Sequence, residues 1–164
     1  MMKKLVVFTL ILGLASGAQA ALTLVTPPGS VEVGQTVTIK LNSSTTGGYS
    51  GWLEIEDPTI VNFAGDPALT AEGNPAGASS VKGYPTYGAW YQFMITSTDP
   101  TKPIVAGDHL LVNLTGVKEG ATKLNLYAEN GIKLLQTVTL TAIPEPATIA
   151  LLGLGGLLLA RRRK

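Results

Sequence analysis

Apolar and polar residues alternate along most of the chain, and this two-residue period constrains the fold more than any other feature of the sequence. The alternation is clearest in 31–42, 52–56, 90–96, 110–114, 124–126 and 135–142. Such alternation predicts strands with one buried and one solvated face, and no stretch of residues 21–143 shows the period of a helix. Eight or nine short strands predict an all-β domain, an antiparallel β-sandwich of jelly-roll type.

Turn-forming residues separate the predicted strands. Asn130-Gly131, between 124–128 and 132–140, predicts a two-residue hairpin because both residues tolerate the positive φ angles of such a turn. The segment 66–88 is rich in Gly, Pro and Ser and is predicted to be a long loop.

The first twenty residues have the composition of a secretory signal peptide. Two lysines precede a short apolar run, and Ala18-Gln19-Ala20 supplies the small-x-small pattern that signal peptidase needs. We therefore predict a signal helix within 1–20, cleavage after Ala20 and a mature chain that begins at Ala21.

The last 21 residues combine three unlike parts. Pro144, Glu145 and Pro146 come first, an apolar run over 147–160 follows, and Arg161, Arg162, Arg163 and Lys164 end the sequence. The prolines keep their segment extended and accessible to a protease. The apolar run predicts a transmembrane helix of about 21 Å, short of a ~30 Å hydrocarbon core, with the basic tail on the cytoplasmic side.

This order of motif, apolar helix and arginine cluster resembles the PEP-CTERM sorting signal of exopolysaccharide-producing Gram-negative bacteria. The resemblance implies that an exosortase, a membrane cysteine protease-transpeptidase, cuts the chain near Pro144-Glu145-Pro146. It also implies transient anchoring in the inner membrane, with the β domain outside the cytoplasm, and then transfer to the cell surface or extracellular matrix. The alternative is a permanent C-terminal anchor.

The middle of the chain resembles the cohesin-like family in four segments. Residues 30–39 fit its opening strand with a V-x-V-G turn, 49–58 fit the next strand with its Asp-Pro ending, and 107–112 and 120–126 fit two later strands. The resemblance implies a cohesin-like sandwich over 21–143, between a signal peptide at 1–20 and a sorting signal at 144–164. Members of the family bind dockerins, and the same fold also serves as a carbohydrate-binding module or a surface spacer.

Charge and cysteine content exclude several classes of function. Six of the twelve basic residues lie at the two ends, whereas 21–143 holds six lysines and ten acidic residues, a net charge of about −4. Such a surface offers no basic stripe for phosphates, so we expect no nucleic-acid partner. The absence of cysteine removes thiol catalysis and thiolate metal sites.

Tyr84, Tyr87, Trp90 and Tyr91 crowd four aromatic residues into eight positions. Aromatic faces are surfaces on which sugar rings stack, so these four residues are the candidate glycan contact. The alternative is that the same rings belong to the core.

The densest carboxylates are Glu54, Glu56 and Asp57. Glu54 and Glu56 share one face of a strand about 7 Å apart. The alternation favours a solvated strand face over a glycosidase pair. A weaker alternative is calcium, with Asp57 and Asp66 as its candidate oxygen donors.

No other pattern favours catalysis. His109 follows Asp108 at a strand start, and without a nucleophile nearby it is interpreted as a surface or strand-end residue rather than a general base. We therefore expect a non-enzymatic protein without a cofactor, with a structural or adhesive role in exopolysaccharide or biofilm. The alternatives are a cohesin-type docking module with a dockerin partner, a carbohydrate-binding module and, less favoured, a matrix glycan hydrolase.

Partners are expected in two stages. During export these are signal peptidase, exosortase and the membrane, which the C-terminal helix enters before processing. At the cell surface or in the matrix the expected partner is an extracellular polysaccharide or another surface protein.

Overall fold

The computed structural model describes residues 22–25, 30–44, 46–74, 77, 79–83, 89–128, 131–145 and 151. Every named element in these ranges is a β-strand. In chain order the strands are β1 (Leu22–Val25), β2 (Val31–Glu32), β3 (Thr36–Ser43), β4 (Tyr49–Ile55), β5 (Val61–Phe63), β6 (Ala68–Leu69), β7 (Ser80–Gly83), β8 (Ala89–Ile95), β9 (Gly107–Gly116), β10 (Gly120–Ala128) and β11 (Leu134–Ile143).

The strands form two sheets. The five-stranded sheet has the order β1-β3-β9-β5, and β6 also pairs with β9. The six-stranded sheet has the order β2-β11-β10-β4-β8-β7. Strand pairs in the described ranges are antiparallel except for β2 with β11, which run parallel. The predicted all-β sandwich is confirmed.

The core lies between the inner faces of the two sheets, where the predicted alternation places its apolar residues. The largest fully buried apolar side chains are Phe93, Ile39, Leu41, Leu53, Ile95, Leu110, Leu114, Leu124, Leu126, Val61 and Val112. Burying one such side chain contributes about 1.5–3 kcal/mol. A core of this kind needs no disulfide, in agreement with the absence of cysteine.

Three local predictions need correction. Within the described ranges the strands number eleven, because a two-residue strand such as β6 carries too little sequence pattern to be recognised. The segment 66–88 is not all loop, since β6 and β7 lie within it. Strands β10 and β11 do form the predicted hairpin, but five residues separate them, and Gly131 has a φ of 67°.

His109 is not a surface residue. In the β3–β9 pair the register shifts, so that Leu41 faces Leu110 whereas Asn42 faces Asp108, and His109 is the extra residue of a bulge. The bulge turns the His109 side chain inward, where it is fully buried.

The predicted terminal helices fall on residues that, apart from Leu151, lie outside the described ranges. Within those ranges no helix is long and apolar enough to cross a membrane.

Candidate binding site on the six-stranded sheet

Three aromatic side chains meet at the centre of the outer face of the six-stranded sheet. Trp52 lies on β4, Trp90 on β8 and Tyr127 on β10, and these three strands are neighbours. Trp52 faces Tyr127 in the register of β4 and β10, and Trp90 faces Glu54 in the register of β4 and β8. Their neighbours in sequence, such as Leu53 and Leu126, point into the core. We call these three residues the aromatic patch.

The rings of the aromatic patch pack against one another. The Trp52 and Trp90 ring centroids lie 6.2 Å apart with the rings at 75°, an edge-to-face contact. Trp90 and Tyr127 are stacked, with centroids 5.5 Å apart and an angle of 23°. All three residues are half-buried, so the patch is a preformed aromatic surface rather than a set of separate exposed rings.

A hydrogen-bond network fixes the polar residues beside the patch. The Oε2 atom of Glu54 accepts from the Tyr127 hydroxyl at 2.7 Å and from Nδ2 of Asn125 at 3.0 Å. Asn125 is almost fully buried, and its Nδ2 also donates to Oε1 of Glu56 at 3.1 Å. The Thr137 hydroxyl donates to Oδ1 of Asn125 at 2.8 Å. Side chains from β4, β10 and β11 therefore hold one another in place.

The network also sets the electrostatics of the site. The hydrogen bond to the Glu54 carboxylate, together with burial and the nearby negative charge, raises the pKa of Tyr127 to about 12. The Tyr127 hydroxyl therefore remains a donor at neutral pH. Glu56 also lies 3.5 Å from Nζ of Lys123, a half-exposed ion pair. The patch consequently combines aromatic faces with a carboxylate, Glu54, held in a fixed orientation.

Exposed apolar side chains border the patch. Met94 is 45% exposed on β8, and Leu134, the register partner of Tyr127, is 51% exposed at the start of β11. Ile132, in the β10–β11 turn, is 81% exposed. The same turn approaches Trp52, because a Cβ on Gly131 would lie 3.6 Å from the indole ring. Aromatic residues inside an exposed apolar border are typical of protein-binding surfaces.

The structure divides the aromatic residues that the sequence suggested for glycan contact. Trp90 lies in the aromatic patch, but Tyr91 points to the other side of the sheet. There its ring packs edge-to-face on Phe63 with centroids 4.6 Å apart, and its hydroxyl donates to Oδ1 of Asp66 at 2.9 Å. Tyr84 and Tyr87 lie outside the described residues. Adjacent positions on a strand face opposite sides, so closeness in sequence overstated the cluster.

Sequence reasoning missed Trp52 and Tyr127. They lie far from Trp90 along the chain, and only the strand order β10-β4-β8 brings the three together. The available signal was their outward position in alternating strands, beside the inward Leu53 and Leu126.

The calcium candidates are engaged in other contacts. Oδ1 of Asp57 accepts from the backbone N–H and the hydroxyl of Thr59, which lower the pKa of that carboxyl. Asp66 accepts from Tyr91. Among the described residues no group of three or more acidic or histidine side chains could hold a metal ion. A calcium site at Asp57 and Asp66 stays a prediction.

His109 and Asp108 do not form a catalytic pair. The Asp108 carboxylate accepts from Nζ of Lys40 at 2.7 Å and from Nδ2 of Asn42 at 3.0 Å. The His109 ring instead contacts the Tyr49 hydroxyl through Nδ1 at 2.5 Å and the Val105 carbonyl through Nε2 at 2.7 Å. The two side chains therefore serve different parts of the fold.

The Pro-Glu-Pro part of the sorting motif starts where the last strand ends. Strand β11 ends at Ile143, and Pro144 and Glu145 follow directly. Pro146, the basic tail Arg161, Arg162, Arg163 and Lys164, and the residues of the predicted signal-peptidase site, Ala18, Ala20 and Ala21, lie outside the described ranges. Their roles stay predictions.

Comparison with known families identifies the C-terminal end of the chain. Residues 142–164 match the family model described as the PEP-CTERM protein-sorting motif. A motif of this type implies export and transient membrane anchoring through the C-terminal signal. No curated protein matches the chain.

Solved structures identify the fold of the rest of the chain. A cohesin module from a family 33 glycoside hydrolase of Clostridium perfringens is 17% identical with a TM-score of 0.56, covering 77% of this chain and 98% of that one. A cohesin in a type II cohesin–X-dockerin complex from Acetivibrio cellulolyticus is 15% identical with a TM-score of 0.54, and the match covers 77% of this chain and 96% of that one. A type I cohesin of Pseudobacteroides cellulosolvens is 10% identical with a TM-score of 0.52, and the match covers 71% of this chain and 90% of that one. The chain thus joins a cohesin-like sandwich to a PEP-CTERM sorting motif.

Proposed function

We propose that this chain is an exported, exosortase-processed surface protein whose sandwich is a non-catalytic docking module of the extracellular matrix. The observation that carries the docking role is the aromatic patch, which is ordered by partly buried hydrogen bonds and bordered by exposed apolar side chains. The observation that supports export and processing is the sorting motif at 142–164.

A protein partner fits the patch better than a sugar does. Trp90 and Tyr127 stack on each other, so each ring covers one face of the other ring, and a sugar cannot stack on the covered faces. Protein interfaces instead use half-buried Trp and Tyr as central anchors, with apolar neighbours that exclude water. Glu54 adds a fixed negative charge beside these rings, so the complementary surface would carry a basic side chain among apolar ones.

A similar solved structure supports a protein as the partner. One of the similar solved structures is a cohesin bound to a dockerin-containing chain. For the present chain we propose a small secreted or surface protein that binds the aromatic patch.

The second candidate ligand is the matrix polysaccharide. Asn125 and Glu54 lie beside the aromatic rings, and polar groups next to aromatic rings are common in carbohydrate sites. This would give the domain an adhesive role in exopolysaccharide or biofilm. A neighbouring exosortase and polysaccharide operon would favour this ligand, whereas a neighbouring dockerin gene would favour the protein partner.

Binding assays with Trp90→Ala test the proposal. The wild-type chain, Trp90→Ala and the control Thr38→Ala, on the outer face of the other sheet, are each incubated with secreted proteins and with secreted polysaccharide from the same cells. We expect Trp90→Ala to weaken capture of a specific protein by roughly tenfold or more, because central aromatic anchors dominate such interfaces. Thr38→Ala should bind like the wild type.

Each result decides between the candidates. Loss of polysaccharide capture alone in Trp90→Ala would establish the second candidate. Equal capture by all three chains would refute a binding role for the aromatic patch. Equal melting temperatures of the three chains would show that the substitutions leave the fold intact.

A further inference from the structure

The sorting motif begins inside the folded domain. The family match starts at Ala142, which is the penultimate residue of β11 and is 1% exposed. Ala142 and Ile143 pair in parallel with Val31 and Glu32 of β2. No free linker therefore separates the sandwich from the start of the motif.

Further contacts hold the motif against the turn that follows β2. The backbone N–H of Val33 donates to the Ile143 carbonyl at 2.8 Å. Next to it the Glu145 carboxylate lies on Gly34, where a Cβ would come within 3.1 Å of Oε1. Gly34 has a φ of +84°, a conformation that strongly favours glycine.

The turn is itself part of the rigid sandwich. The N–H of Gly34 donates to the Gly116 carbonyl at 2.8 Å, and Val33 forms a parallel bridge with Gly116 of β9. The five-stranded sheet thus supports the turn on which Glu145 rests. Contacts from both sheets fix the position of the motif.

We propose that β2 and the Gly34 turn form an intramolecular docking site for the start of the sorting motif, and that this site limits the rate of exosortase cleavage. The proposal rests on exosortase processing, as proposed above. A protease binds its substrate as an extended, accessible segment, so residues paired in a sheet must first leave it. The rate of cleavage is then proportional to the fraction of molecules in which the site is locally open.

The size of the site indicates slowing rather than a block. Strand β2 contributes two residues at the edge of its sheet. Edge segments of this length open far more often than the whole domain unfolds. Small changes in the site should therefore change the cleavage rate measurably.

Pulse–chase processing of two glycine variants in exosortase-containing cells provides the first test. In Gly34→Ala the new methyl group strains a positive φ and meets Glu145. In the matched control Gly65→Ala it strains a φ of +90° but meets nothing within 4 Å. We expect Gly34→Ala to be cleaved roughly fivefold faster than the wild type, and Gly65→Ala to be cleaved at the wild-type rate.

A disulfide between β2 and β11 provides the second test. Glu32 and Ile143 are register partners, and the chain has no cysteine of its own. We expect oxidised Glu32→Cys/Ile143→Cys to accumulate uncleaved, and reductant to restore cleavage. Each single cysteine variant cannot form this disulfide and should be cleaved without reductant.

The outcomes separate this proposal from the one it rests on. Equal cleavage rates of wild type, Gly34→Ala and the oxidised double variant would overturn the docking site and leave exosortase processing intact. Absence of any exosortase-dependent cleavage of the wild type would overturn the processing itself.

Discussion

At the scale of single residues, His109 shows how one polar side chain can be accommodated in an apolar core. Its Nε2 faces the Val105 carbonyl and so carries the proton, and its Nδ1 accepts from the Tyr49 hydroxyl. The Tyr49 and His109 rings also stack, with centroids 5.7 Å apart. Burial raises the pKa of Tyr49, which keeps its hydroxyl a donor.

Replacing this hydroxyl should be costly. In Tyr49→Phe the buried Nδ1 loses its donor, so we expect the free energy of unfolding to fall by about 1–3 kcal/mol. In the control Tyr91→Phe the lost bond to Asp66 is exposed, and we expect a loss below about 1 kcal/mol. Urea denaturation measures the free energy of unfolding of both variants and of the wild type. Equal losses would contradict the role assigned to His109.

The sequence could not predict this cluster. Alternation placed Leu110 and Val112 in the core correctly, whereas His109 was interpreted as a surface or strand-end residue because no nucleophile lies near it in sequence. The error arises because a bulge adds one residue to β9 and reverses the direction of one side chain. Hydropathy also gave no hint, since a buried histidine depends on partners that are distant in sequence.

At the scale of strands, the pairing of β3 and β9 carries a ladder of polar contacts on its outer face. Thr36 bonds Thr115 at 2.8 Å, and Thr38 donates to Asn113 at 2.7 Å. At the far end of the ladder Lys40 pairs with Asp108. These cross-strand contacts reinforce the register that the core residues set.

The Asp108 contacts should make stability depend on pH. The hydrogen bond from Lys40, followed by that from Asn42, lowers the pKa of Asp108 below its ordinary value of 3.8. The contribution of Asp108 to the free energy of unfolding is therefore present above pH 3.8 and is lost as the pH falls through the lowered pKa. The same pair raises the pKa of Lys40, so the contribution also fades at strongly basic pH, above the ordinary lysine value of 10.5.

Thermal melts between pH 7 and about pH 2 measure this effect. We expect Asp108→Asn to lose less stability on acidification than the wild type. Thr38→Ala, which changes an exposed residue without an ionisable group on the same sheet, should keep the wild-type pH dependence. Parallel curves for all three chains would refute the assignment.

Strand prediction succeeded where an element is long and half-buried, and failed where it is short. Strands β3, β4, β8, β9, β10 and β11 match the alternating segments. Short strands such as β6 have no period to detect, and tertiary pairing alone creates them. The aromatic patch was only partly predictable for a related reason, because strand order, which the sequence does not reveal, assembles it.

At the scale of the whole molecule, the C-terminal strand completes the sandwich. Strand β11 pairs with both β10 and β2, and Ala142 is its last buried residue. A processed chain must therefore retain residues through Ile143 to keep this closure.

Two truncated mature chains test this requirement. We expect a chain that ends at Ile143 to melt like the mature full chain. A chain that ends at Thr141 loses the pairing with β2 and the Val33–Ile143 hydrogen bond, and should be about 2 kcal/mol less stable. Equal stability of the two truncated chains would contradict the closing role of β11.

The pairing of β2 with β11 also has a consequence for the order of events during export. These strands join Val31 to Ala142, almost the full span of the domain, so the contact cannot form while the C-terminal end is still inside the translocation channel. Such long-range pairing is slow compared with local turn formation. The tail would thus tether each newly exported molecule to the membrane while its final strand is still unpaired, during the period when incomplete molecules are most prone to aggregate.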